Sequence, residues 1–346
     1  MTLENNKDGA PELHISSSSN IHSSSTSIDA VVEDFTNISI AGDGICASCG
    51  KEGNSDDMNT CNKCKMVKYC NAACKKKHRK KHKKACEKRV AELHDEQLFK
   101  DPPPREECPI CMLPLLHERY ASNFMTCCGK IICGGCINAI MMREETDICP
   151  FCRTLDATSN KEHIERTKKL IEKGNAEAFN HLAGYYADGD LYLVQDMAKA
   201  NELYLKAGEL GCADAYFNLG FAYSHGQGME RDFKKAEYYW ELAAMSGDVQ
   251  ARHSLGILEL KAGNKHRAMK HWILAAKAGK EDALHNVKVG FINGYLTKDE
   301  YANILRAYHD RQKEMKSKAR EEAALAKAKR KAKRDEQARL LGISFT

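Results

Sequence analysis

Between residues 160 and 310, apolar and polar positions recur at the spacing of short amphipathic helices, and they recur as a repeat. GNAEAFNHLAGYY (174–186), GCADAYFNLGFAY (211–223) and GDVQARHSLGILE (247–259) align without gaps, and GKEDALHNVKVG (279–290) is a weaker fourth copy. Starts at 174, 211, 247 and 279 give steps of 37, 36 and 32 residues. A second element follows in the first three units: DMAKANELYLKAGELG, DFKKAEYYWELAAMSG and KHRAMKHWILAAKAG. Two short helices per unit, punctuated by glycine, are the signature of an α-solenoid. Alanines mark the close approaches, and Leu182, Leu219, Leu255, Tyr204, Tyr239 and Trp272 are expected to fill the seams. The third unit lacks four residues at its inter-helix loop, which predicts a tighter turn. From Arg311 onward, EEAALAKAKRKAKRDEQARLL combines strong helix formers with little apolar stripe. This predicts an exposed helix or a coiled coil. No run of 18 apolar residues occurs, so no membrane-spanning helix is expected.

Composition divides the rest of the chain. With 346 residues, 29% charged and only 7% aromatic, several small modules suit it better than one large core. Residues 1–43 carry seven acids against one lysine and are rich in serine, so they are expected to be disordered. They show no apolar secretory signal, which predicts an intracellular protein, cytoplasmic or nuclear. Sixteen cysteines in such a context point to metal ligands rather than disulfides. They form blocks at 46–86 and 108–152, and LFKDPPPREE lies between them. The expected organisation is a disordered tail (1–43), a first metal module (44–88), a linker stiffened by Pro102, Pro103 and Pro104 (89–104), a second metal module (105–156), helical repeats (160–310) and a basic helical tail (311–346). That tail carries twelve bases against five acids.

The first block reads Cys46-x2-Cys49-x11-Cys61-x2-Cys64-x5-Cys70-x3-Cys74-x7-His82-x3-Cys86. Eight ligand-type residues make two tetrahedral zinc sites, and His82 and Cys86 share one face of a helical run. Through KYCNAACKKKHRKKHKKAC above all, the block resembles a MYND zinc finger. The resemblance implies interleaved ligands: Cys46, Cys49, Cys70 and Cys74 for one zinc, and Cys61, Cys64, His82 and Cys86 for the other. It also implies a protein-interaction module. Lys75 and Arg79 stand where that family often has Gln and Trp, so its usual peptide groove is not expected here. The run KKKHRKKHKK is read as a solvated face balancing the thiolates, with nuclear import or nucleic-acid binding as the rival reading.

In the second block, cysteines fall at 108, 111, 127, 128, 133, 136, 149 and 152. CPICMLPL, FMTCCGKIICGGC and CPFCR make it resemble a RING finger. The resemblance implies a cross-brace, with Cys108, Cys111, Cys133 and Cys136 on one zinc. Cys149, Cys152 and two ligands from 127–130 would hold the other. Lys130 occupies the place of the usual His and offers no lone pair at neutral pH. Three options are open: Cys127 and Cys128 both bind after a bend at Gly129, His117 replaces one of them, or the site is incomplete. RING ligases hold a ubiquitin-charged conjugating enzyme in a reactive pose without a covalent intermediate. For that role the resemblance points to Ile110, Pro150, Arg153 and the helix positions Ile137, Ile140 and Met141. The same residues could instead pack a purely structural finger.

The repeats resemble Sel1-like repeats, relatives of the tetratricopeptide family, most closely along ADAYFNLGFAYSHGQGMERDFKKAEYYWELAAMSG. This implies a concave protein-binding scaffold without catalytic chemistry. His181, His225, His253 and His285 are read as surface or packing histidines, and Cys212 as a buried small residue. The expected fold is multi-domain: small zinc-stabilised cross-brace fingers followed by an all-α helical-repeat solenoid. The expected function is a RING-type ubiquitin ligase that gathers protein partners on its MYND finger and repeats. The rivals are a non-enzymatic adaptor and a nucleic-acid-associated protein using its basic helix and tail.

Overall fold

The computed structural model describes residues 44–115, 122–142 and 148–340. The segment 1–43, expected to be disordered, lies outside the described residues. The chain divides into two compact units, one ending at Ala91 and the other beginning at Glu92. Among the described residues no helix is long and apolar enough to cross a membrane.

In the first unit, β1 (Asn59–Thr60) and β2 (Lys68–Tyr69) pair antiparallel, and helix α1 begins at Ala72 and runs to Leu98. A helix rich in Lys and Arg forms because these straight-chain residues have good propensity, while only a few positions need to face inward. Its inward positions are the metal-type residues. The core is small: Met58, Val67 and Tyr69 are buried among cysteines.

The second unit opens with a finger of two antiparallel strands, β3 (Ser122–Phe124) and β4 (Ile131–Cys133), followed by helix α2 (Gly134–Met141). Ile132 is fully buried beside Cys108, Cys133 and Cys136, with Leu115, Met125, Ile137 and Phe151 packed around them. Helix α3 (Asn160–Glu172) then leads into four antiparallel pairs. These are α4 (Ala176–Asp188) with α5 (Met197–Glu209), α6 (Ala213–His225) with α7 (Phe233–Met245), α8 (Val249–Lys261) with α9 (Lys265–Lys277), and α10 (Glu281–Ile292) with α11 (Lys298–Met315). Short polar residues start these helices. Asn175, Asp196, Asp232 and Asp248 each accept a hydrogen bond from a first-turn N–H, and Thr297 forms a capping box with Glu300. The loop between α8 and α9 is residues 262–264, four shorter than 226–232 between α6 and α7.

Leu182, Leu219, Leu255, Tyr204 and Trp272 are buried in the seams. Tyr239 is only half-buried, and the seam position of that unit belongs to Trp240. The reason is helical phase. Tyr204, Trp240 and Trp272 are each the eighth residue of a 13-residue helix, and one residue of slip turns a side chain by about 100°.

Two expectations are corrected. Residues 89–104 are not a free linker. Helix α1 extends to Leu98, which is fully buried, and from His94 the segment is docked on the repeats. His94 pairs with Glu241, Arg267 bridges Asp95 and Glu259, and Arg252 donates to the Leu98 carbonyl. The Phe99 ring packs on His271 at 4.7 Å, and Arg105 donates to the Ala278 carbonyl at 2.6 Å. A buried arginine and a buried histidine with few partners of their own hold this strap in place.

The tail is not wholly exposed either. Helix α11 runs through residue 311 to Met315, and α12 (Lys318–Leu340) starts against α2. Arg320 is only 8% exposed and donates to the carbonyls of Met315 and Leu113. Its backbone lies so close to Gly135 that any side chain there would collide. A basic helix without an apolar stripe still docks here because one arginine finds two carbonyls and one glycine leaves room.

Candidate metal centres and the cleft beside them

Four of the five Cys-x2-Cys pairs, 46/49, 61/64, 108/111 and 149/152, sit on the same backbone turn, while the fifth, 133/136, opens α2. The residue after the second cysteine adopts a left-handed conformation: φ is 72° at Gly50, 54° at Lys65, 55° at Met112 and 60° at Arg153. Its N–H donates back to the carbonyl of the first cysteine, at 2.9, 3.0, 2.8 and 3.1 Å respectively. The N–H of the first cysteine donates in turn to a carbonyl beyond the turn, as Cys108 does to Leu113 and Cys149 to Thr154. Amide groups therefore aim at the sulfurs. Burial alone would push the Cys108 thiol up, but N–H donors at Cys111, Cys133 and Ile110 outweigh it and hold it at about 7. A thiolate is the form that binds metal.

The vicinal pair uses this turn too. Gly129 is left-handed at φ 73°, its N–H donates to Met125 O at 2.7 Å, and Met125 N–H donates to Lys130 O at 2.9 Å. Met125 therefore stands where a first cysteine would, Cys128 takes the place of the second, and Cys127 projects from inside the turn. Gly129 was the sequence signal for this bend; the framing role of Met125 had none. The Lys130 ammonium lies 4.5 Å above the Phe151 ring, a cation–π contact, and takes no part in the cysteine cluster. His117, the alternative ligand, lies outside the described residues.

Four groups of ligand atoms result: Cys46, Cys49, Cys70 and Cys74; Cys61, Cys64, His82 and Cys86; Cys108, Cys111, Cys133 and Cys136; and Cys127, Cys128, Cys149 and Cys152. Within each, all ligand atoms lie within 4.8 Å of one another. For a tetrahedral zinc with Zn–S near 2.3 Å, sulfurs should be about 3.8 Å apart. The separations are 3.7 Å for Cys49–Cys70, 3.8 Å for Cys61–Cys86, 3.7 Å for Cys111–Cys133 and 3.8 Å for Cys128–Cys149. Cys64 Sγ to His82 Nε2 is 3.2 Å, shorter as a nitrogen ligand requires. The donor sets fit zinc. Without a cation the fourth group would be unfavourable: burial and the neighbouring Cys152 and Cys149 thiols push Cys127 up. In both fingers the groups interleave along the chain. Such a cross-brace fixes two short hairpins that could not fold on their own cores.

The residues considered for a conjugating enzyme divide into two sets. Ile110, 41% exposed, and Arg153 lie on open surface. Ile137, Ile140, Met141 and Pro150 line a cleft of about 980 Å³. The opposite wall of the cleft is the solenoid, from α4 and α6: Glu177, Asn180, His181, Asp188, Asp214 and Asn218. Phe124 and His181 stack at 4.4 Å across its floor, and burial lowers the histidine to about 4, so it is neutral at physiological pH. Burial and the nearby Asp214 carboxylate raise Glu177 to about 7. His225 stacks on Phe221 and His253 shares a hydrogen bond with Asn286, both packing roles. Cys212 is buried at the start of α6.

A cysteine-rich region with a MYND finger, followed by a helical Sel1-repeat solenoid, is the architecture these features define. The MYND finger family model matches residues 46–86, and the Sel1 repeat model matches 176–212, 213–248 and 252–280. The chain is thus a zinc-binding protein of the protein-interaction class. It is similar to two Arabidopsis thaliana proteins, the ERAD-associated E3 ubiquitin-protein ligase components HRD3B and HRD3A. Identity to the first is 33% over 101 residues, 29% of this chain and 16% of that protein. To the second it is 31% over 97 residues, 27% of this chain and 14% of that protein. The chain therefore spans only about a sixth of the length of these curated relatives. Among solved structures it is similar to a Sel1 repeat protein from Oxalobacter formigenes, at 24% identity and TM-score 0.39, covering 44% of this chain and 64% of that one. It is also similar to the protective antigen c5321 of uropathogenic Escherichia coli, at 20% identity and TM-score 0.39, covering 45% and 35%.

Proposed function

We propose that the chain holds four structural zinc ions, two in the MYND finger and two in a second finger of RING type. The second finger serves ubiquitin transfer, and the MYND finger and repeats gather the proteins to be modified. The observation that carries this reading is the interleaving of the second finger's cysteines into two tetrahedral sets, 108/111/133/136 and 127/128/149/152. The exposure of both Ile110 and Arg153 supports it. So does the likeness to two relatives named as components of a ubiquitin ligase.

In this role no bond forms to the chain. A lysine amine attacks the thioester carbon, and the conjugating enzyme's thiol leaves. Ile110 would bind the enzyme and Arg153 would clamp ubiquitin with its planar donors, so that the gain is one of orientation. The test is discharge of ubiquitin from a broad panel of charged conjugating enzymes by the full chain. The expected result is stimulation by at least one enzyme, reduced about tenfold or more by Ile110→Ala, the usual order for a buried apolar anchor. No stimulation across the panel, or an unaffected I110A variant, would sink the reading.

A second reading is favoured by one specific observation. Ile137, Ile140 and Pro150 line the cleft that faces the solenoid, with Pro150 still exposed and the two isoleucines half-buried. A non-enzymatic adaptor accounts for that placement directly. On this reading, affinity capture returns clients of the repeats but no conjugating enzyme.

A further inference from the structure

The cleft between the second finger and the solenoid has two chemically different walls. On the finger side Ile137, Ile140 and Pro150 present carbon. On the solenoid side Asp188 and Asp214 present carboxylates, and Glu177 presents an acid that burial holds near 7 and that a bound cation would ionise. Among the described lining residues six are acidic and one is basic; of the six, Asp248 is buried as the cap of α8, and the basic one, Arg166, is already engaged by Glu162 and the Leu155 carbonyl. The two lining histidines, His163 and His181, are both held below their ordinary range by burial and add no charge. The cavity, about 980 Å³, reaches the upper end of the range for small-ligand pockets, and its lining comes from both the finger and several solenoid helices.

We infer that this cleft binds an extended peptide in which apolar and cationic side chains alternate. The physical reason is strand geometry. Successive side chains of an extended chain point to opposite faces, so every second residue meets the same wall. Leucine-like residues at one parity would pack on Ile137, Ile140 and Pro150. Lysine or arginine at the other parity would meet the carboxylates of α4 and α6. The occupant is another protein: residues 1–43, with seven acids against one lysine, carry the wrong charge. The inference does not depend on whether the finger is a ligase.

The test uses the full zinc-loaded chain and fluorescein-labelled hexapeptides between glycine flanks, read by anisotropy. The probes are Leu-Lys-Leu-Lys-Leu-Lys, the block arrangement Leu-Leu-Leu-Lys-Lys-Lys of identical composition, and Leu-Glu-Leu-Glu-Leu-Glu. The alternating lysine peptide should bind about tenfold or more tighter than either of the others, a factor within reach of two or three charge pairs in a partly desolvated cleft. Glu177→Gln combined with Asp188→Asn should erase most of that preference, with a thermal transition no lower than that of the unaltered chain as the folding check. Equal binding of the block peptide would show mere charge attraction, and equal binding of the glutamate peptide mere apolar adhesion. Either result, or no binding of the alternating lysine peptide, overturns the inference. The comparison among peptides is made on the unaltered chain, so it stands even if the double variant fails to fold.

Discussion

Gly129 and Glu177 show how much single residues decide in this chain. At Gly129 a left-handed backbone turns two neighbouring cysteines toward one centre, in the same way that Gly50, Lys65, Met112 and Arg153 end the ordinary cysteine pairs. Three of those four are not glycine and hold a conformation that side chains rarely adopt, which the turn's hydrogen bonds must offset. Glu177 carries the opposite kind of tension. Burial, Asp214 and Glu106 raise its pKa to about 7 from 4.5. For a carboxyl raised in the folded state, stability is lost as pH climbs from the unfolded to the folded value, and the full loss is present above about 7. Glu177→Gln should therefore stabilise the solenoid at pH near 8 by about 2 kcal/mol more than at pH near 5. Denaturant unfolding of both proteins at the two pH values checks this. An identical difference at both would show that the carboxyl is not strained.

At the scale of elements, the sequence was most informative where the chain repeats a local rule. The two-helix units were legible because the segments repeat, glycine punctuates them and alanine marks their contacts. The ligand-type residues of three metal-type groups were legible because ligand chemistry tolerates few residue types, while the fourth stayed open among Cys127 with Cys128, His117 and an incomplete site. Other features depend on contacts distant in sequence. Helical phase moved a seam position from Tyr239 to Trp240. The strap from His94 to Arg105 reads as a linker because its partners Glu241, Arg252 and Arg267 lie more than a hundred residues away. Arg320 on the finger is hidden for the same reason. Local rules leave these docked segments unmarked, since each rests on scattered contacts with residues far along the chain rather than on an apolar stripe of its own.

The elements also differ in what holds them. The fingers have almost no apolar core, whereas the repeats bury alanine, leucine and tryptophan throughout. Structural zinc contributes about 10–16 kcal/mol in small fingers, so chelation should unfold them and take part of α1 with them. Most of the helical circular dichroism should survive, because α3 to α11 are packed by side chains. Loss of the whole signal in one step with chelator would contradict this division.

At the scale of the whole molecule, a MYND finger, a second cysteine-rich module whose ligand groups could hold metal and a helical Sel1-repeat solenoid make a zinc-binding protein of the protein-interaction class. The second finger's candidate surfaces are split between open ground at Ile110 and Arg153 and a two-faced cleft at Ile137, Ile140 and Pro150. Ligase chemistry, an adaptor role and peptide recognition all require that the second finger be closed by metal, and that closure depends on the neighbours Cys127 and Cys128 sharing one ion. Zinc content of the purified full chain by mass spectrometry tests this most directly. The account predicts four ions per chain, one for each ligand group, falling to three when Cys128 is replaced by serine. Three ions in the unaltered chain, with no change on Cys128→Ser, would contradict it.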